Sequence, residues 1–81
     1  MTRAEIEEKV LATLAALTGA ERGALGLETS RESLAAWDSL KHMHLVLALE
    51  EALDIEFDDH EVASMAEVQA VVDALVAKVA R

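Results

Sequence analysis

Hydrophobic residues recur at helical spacing in the first seventeen positions. Ile6, Val10, Leu14 and Leu17 fall three or four residues apart, and Leu11 widens the stripe; this is the period of an amphipathic helix. Thr2 and Glu5 precede it as T-x-x-E, in which each side chain can bond the other residue's backbone N–H. Gly19 stands where a helix commonly needs a left-handed residue to stop. From Thr18 to Trp37 the pattern breaks, and Gly19, Gly23 and Gly26 all fall in this stretch. It predicts a long connection, with Leu25, Leu27 and Leu34 available to pin it to a core. Thr29 and Glu32 are spaced to cap a short turn within it. A loop this long in so small a chain often carries function.

Periodicity resumes at about Asp38 and runs to Leu53, predicting a second helix. Val46, Leu49 and Leu53 form one apolar line, with Leu45 beside it, while Leu40, Met43 and Leu47 form an adjacent line. The combined arc is wider than a surface helix needs. Met43 and Leu47 are therefore either ordinary core or part of an exposed docking face beside Ser39. D-I-E-F then places Ile55 and Phe57 on one side of an extended link. Asp58 with Glu61 offers a capping box for a helix of little more than one turn. Ser64 with Glu67 does the same for a last helix, whose stripe is Val68, Val71, Val72, Leu75 and Val79. No segment alternates at period two. The expected fold is all-α: a small four-helix bundle of three longer helices and one short one, with a long loop between helices 1 and 2. Residues 1–81 are read as a single domain.

Composition narrows the chemistry. A chain of this size buries only about 60% or a little more of its unfolded surface, which leaves little room for a deep catalytic cleft. It has no cysteine and no proline, and its only aromatic rings are Trp37 and Phe57. The core must be aliphatic, and no thiolate or disulfide is available. The N-terminal MTRAEIEEKV lacks an apolar signal region, and no apolar run is long enough to span a membrane. These features predict a soluble, cytoplasmic protein.

The net charge of -9 is unevenly placed. Between His42 and Ala77 there is no Lys or Arg, but there are nine acids: Glu50, Glu51, Asp54, Glu56, Asp58, Asp59, Glu61, Glu67 and Asp73. Nucleic-acid binding, which needs cationic surface to displace counterions, is disfavoured. The acidic half is either a solvated surface or a field that steers in a basic protein partner.

The segment A-W-D-S-L-K-H-M-H carries the candidate chemistry. Ser39 or Asp38 could cap the second helix, or the Ser39 hydroxyl could be an attachment point. A hydrolase would recruit Ser39, His42 and Asp38. However, Asp38 adjoins the serine instead of standing behind the imidazole, and no oxyanion hole is evident. A metal site from His42, His44 and His60 is also poorly arranged, because His42 and His44 face different sides of a helix. A phosphate ester on Ser39 would lie near the positive end of the helix dipole, with Asp38 opposing it somewhat. Neither a catalytic residue nor a metal ligand is assigned.

These residues carry a family resemblance. WDSLKHMHLVLALEE resembles the D-S-L motif and second helix of acyl carrier proteins. DIEFDDHEVASMAEVQAVVDAL resembles the third and fourth helices of that family, with their acid-rich link. The likeness is specific from Trp37 to Leu75, while the first helix and long loop fit by pattern and length. The resemblance implies a non-catalytic carrier whose Ser39 accepts 4′-phosphopantetheine from coenzyme A through a magnesium-dependent phosphopantetheinyl transferase. Asp38 and Leu40 would flank the attachment site. The arm's thiol would hold acyl or aminoacyl cargo as a thioester, supplying the sulfur that the chain lacks.

Partners would then be the transferase and loading or processing enzymes with basic docking surfaces, meeting a monomeric carrier away from nucleic acid and membrane. Leu47, Glu50 and Glu51 match exposed helix-2 contacts of the family, whereas Leu45, Val46, Leu49 and Leu53 match its core positions. Trp37 replaces a small residue of fatty-acid carriers, and either anchors the loop or lies against the arm or a partner. Lys41 and His44 stand where those carriers are often acidic. Charge changes at a steering surface alter partner choice, so a specialised polyketide-like or aminoacyl-type pathway is expected over housekeeping fatty-acid synthesis. The predicted partner surface is Trp37, Lys41, Met43, His44, Leu47, Glu50 and Glu51. The competing expectation is an unmodified helical adaptor that binds a basic protein through its acidic half.

Overall fold

The computed structural model describes residues 1–79; Ala80 and Arg81, the end of the expected 1–81 domain, lie outside the described residues. The described chain is all-helical, with α1 at Arg3–Thr18, α2 at Ser39–Leu53, α3 at Asp59–Ser64 and α4 at Val68–Val79. A single 3-10 turn, Arg22–Ala24, interrupts the long connection; its triplet R-G-A carries too short a pattern to have been foreseen. No helix among the described residues is long and apolar enough to cross a membrane.

The ends of α1 follow from their side chains. Thr2 accepts from the Glu5 N–H while Glu5 accepts from the Thr2 N–H, which closes the capping box. At the other end Gly19 takes φ 79°, and its N–H donates to the Ala15 carbonyl. A Cβ there would meet nothing within 4 Å, so the demand for glycine comes from the left-handed backbone and not from crowding. Asp54 ends α2 in the same left-handed region, at φ 53°. Aspartate tolerates that conformation better than most side chains. The Ile55 N–H then reaches back to the Glu50 carbonyl at 3.1 Å.

Helix α1 packs against α2 and α4. Ile6, Val10, Leu11 and Leu14 from α1 meet Leu45, Val46 and Leu49 from α2 and Val68, Val71, Val72 and Leu75 from α4 in one buried cluster. Met65 and the loop residues Leu25 and Trp37 complete it. Leu27, Leu34, Ile55 and Phe57 pack on its margin as half-buried residues. The loop is thus fastened by its leucines, as the pattern predicts.

Two expected caps are replaced by others. The turn inside the loop is closed by Ser30 and Ser33, each accepting from the other's backbone N–H at 2.9–3.0 Å, and not by Thr29 with Glu32. Thr29 Oγ1 accepts from the Gly26 N–H. Ser64 does not cap α4, because its hydroxyl turns back to the Glu61 carbonyl at the end of α3. The first N–H groups of α4 donate instead to loop carbonyls, Val68 to Thr29 and Gln69 to Leu27. A helix start otherwise leaves these donors without partners, so the loop backbone does the work of a side-chain cap. A single antiparallel bridge, Ser30 with Glu67, extends the same seam.

Burial along α2 predicts a sharp contrast between neighbouring leucines. Leu49 is 1% exposed and Leu47 is 57% exposed. Leu49→Ala is expected to lower unfolding free energy by about 3 kcal/mol through lost burial and an unfilled cavity. Leu47→Ala is expected to change it by less than about 0.5 kcal/mol. Urea denaturation of both variants measures the difference.

Candidate functional site

The site begins with a hydrogen-bond chain at the start of α2. Trp37, 1% exposed, donates its indole N–H to His42 Nδ1 at 3.1 Å. Because that nitrogen accepts, the proton of the neutral imidazole sits on Nε2. Nε2 then donates to the Val62 carbonyl at 2.9 Å, near the C-terminal end of α3, an oxygen that also accepts from the Met65 N–H at 3.4 Å. One imidazole therefore ties the end of the loop, the first turn of α2 and α3 together. No described buried side-chain nitrogen or oxygen lacks a partner.

This arrangement decides several alternatives. Trp37 anchors the loop in the core, and its burial removes it from the partner surface. His42 has both ring nitrogens engaged, so it is not poised to take a proton from Ser39. That also takes it out of a metal set, while His44 and His60 stand exposed. Among the described residues no three His, Asp or Glu gather as a ligand group.

Asp38 is the N-cap of α2, with its carboxylate accepting from the Lys41 N–H at 2.9 Å. Ser39 is the first helical residue. Its side chain is exposed, and its oxygen accepts from Arg31 Nη2 at 3.3 Å. The capping duty thus falls on the acid, and the hydroxyl faces solvent. Beside it lies an open groove of about 270 Å³, lined by Arg31, Ser39, His42, Met43, Asp59, Val62 and Ala63. Arg31, whose position in the loop carries no motif, is the residue that sequence reasoning missed.

Around this point α2 divides cleanly. Leu45, Val46 and Leu49 are buried, with Leu53 half-buried behind them. Leu40, Met43 and Leu47 are exposed at 61%, 46% and 57%, so the second apolar line faces solvent and is not core. Glu51 and His44 are exposed along the same helix, and Lys41 is half-buried. Glu50 is half-buried, and its carboxylate accepts from the Phe57 N–H at 2.8 Å, holding the link between α2 and α3. No protein-family model matches the chain, and no curated protein matches it.

Burial lowers the pKa of His42 below its ordinary value; the bond to Val62 opposes this shift, and the charge of Arg31 reinforces it. A depressed histidine pKa means that the unfolded chain binds the proton more readily. Stability is therefore complete above about pH 6.5 and is lost as the pH falls below it. Protonation would also place a proton on Nδ1, facing the Trp37 N–H. The expected outcome is a loss of stability between pH 7 and 5.5 with a change in Trp37 fluorescence, and a flatter profile in His42→Gln. Identical slopes in the two proteins would contradict this role for His42.

Proposed function

We propose that this chain is a carrier protein of the acyl carrier type, with 4′-phosphopantetheine esterified to Ser39. The observation that carries the reading is the exposed hydroxyl at the first position of α2, relieved of capping by Asp38 and bordered by a groove. The surrounding residues fit the group. Arg31 supplies a cation for the phosphodiester, and Met43 and Val62 give the groove apolar wall for the pantetheine chain. When bound, the arm supplies a terminal thiol for thioester chemistry.

In the loading reaction, Ser39 Oγ forms a bond to the pantetheine-linked phosphorus of coenzyme A. The bond from that phosphorus to the bridging oxygen breaks, and adenosine 3′,5′-bisphosphate leaves. The serine proton passes to a base of the transferase. His42 is held away from this duty by Trp37 and Val62, in keeping with an attachment site acted on by an external enzyme.

The chain's own contribution is presentation. Asp38 fixes the first turn, and the clamped His42 holds that turn against α3. Leu40, Met43 and Leu47 offer an apolar strip next to the attachment point, and Glu51 borders it with negative charge. Partners with basic docking surfaces and apolar centres suit such a face. Acyl or aminoacyl cargo in a specialised pathway remains the reading of Lys41 and His44, which soften the acidity of the helix near Ser39. An unmodified adaptor would need the acidic face alone and would give the serine no role.

Incubation with coenzyme A and a broad-specificity phosphopantetheinyl transferase is expected to add one phosphopantetheine to the wild type and none to Ser39→Ala, read by intact-protein mass spectrometry. An unmodified wild type, under conditions that load a control carrier, favours the adaptor. Glu51→Lys is expected to slow loading roughly threefold at low salt, with the difference shrinking at high salt. Equal rates at low salt would count against electrostatic steering.

A further inference from the structure

We infer that Arg31 is a positioning residue for the phosphodiester on Ser39, a role that rests on the carrier reading above. The chain supplies three independent reasons. The first is reach: Arg31 Nη2 already lies 3.3 Å from Ser39 Oγ. The non-bridging oxygens of a phosphodiester on that atom are two bonds further out. A guanidinium that touches Oγ is therefore within range of them.

The second is the state of the charge. Arg3, Arg22 and Lys78 are committed to Asp73, Glu8 and Glu61 respectively. Arg31 forms no ion pair among the described residues, although Asp59 lines the same groove. Its guanidinium donates to Ser39 Oγ. A guanidinium that pairs with no carboxylate among the described residues and already touches Ser39 Oγ suits an incoming anion. Its planar set of donors matches phosphate oxygens better than an ammonium does.

The third is anchoring. The Arg31 N–H donates to the Ala66 carbonyl at 2.9 Å, next to the Ser30–Glu67 bridge. Leu34 N–H closes the following turn onto the Ser30 carbonyl. The backbone that carries the guanidinium is thus fixed to the segment between α3 and α4, and the side chain starts from a defined point. Arg31 offsets the repulsion of Asp38 and holds the first atoms of the arm over the groove.

A thermodynamic cycle tests this. Melting temperatures are measured for unmodified and fully loaded forms of wild type, Arg31→Gln, Arg31→Lys and Arg22→Gln, with loading verified by mass. The change in melting temperature on loading is expected to be about 4 °C more favourable in wild type than in Arg31→Gln. Arg31→Lys is expected to recover part of that difference, and Arg22→Gln, remote from the site, to behave as wild type. High salt should shrink the coupling. Complete loading with the same shift in wild type and Arg31→Gln would overturn the role of Arg31 while leaving the carrier reading intact. A wild type that takes no adduct would overturn both. Because each variant is compared with its own unmodified form, any loss of stability from the substitution itself cancels.

Discussion

A small helical chain that displays a serine faces a mechanical problem: the first turn of a helix is where it frays most easily. Here the constraint is met by one buried imidazole. His42 accepts from Trp37 on one side and donates to the Val62 carbonyl on the other, at 3.1 and 2.9 Å. The two bonds reach from the loop before α2 to the end of α3. They are worth most as a pair, because losing either leaves a buried polar group unsatisfied. Trp37 brings bulk as well, a large buried surface in a core that otherwise consists of aliphatic side chains.

With that turn fixed, the outward features of α2 follow. Asp38 satisfies the Lys41 N–H, Ser39 is left to solvent, and Leu40, Met43 and Leu47 line up on the exposed side. Exposed apolar side chains are ordinary when scattered. In the carrier role proposed above, three at helical spacing beside a displayed hydroxyl suit transient docking, in which a partner covers them for the time of a reaction. The acidic excess adds a long-range field to that short-range strip. In the proposed carrier role, the inner face of α2 maintains the fold while the outer face is read by enzymes.

Much of this was legible in the sequence, for a physical reason. Helical periodicity, the capping boxes at Thr2 and Asp58 and the stop at Gly19 are local signals, and each is realised where the spacing put it. The split of α2 into core and exposed lines was visible only as an arc too wide, and burial was needed to resolve it. What failed was non-local. Ser64 and Glu67 have the spacing of a cap, yet carbonyls of Leu27 and Thr29, far earlier in the chain, take the α4 donors. Trp37 fits two readings by sequence, loop anchor or contact for the arm or a partner, and its burial against His42 decides for the anchor. Arg31 had no motif at all; only the folding of the loop onto the Ala66 carbonyl brings it to Ser39.

The central claim is that one hydroxyl, Ser39, is chemically distinct from the others by its placement. Peptide-level fragmentation after enzymatic loading tests it most directly. Cleavage after Arg31 and Lys41 releases a segment holding both Ser33 and Ser39. Ser33 is an internal competitor, exposed but engaged in the turn with Ser30. Fragment ions that carry the phosphopantetheine on Ser39 and leave Ser33 bare are the predicted result. An arm on Ser33, or spread over both serines, would contradict the account.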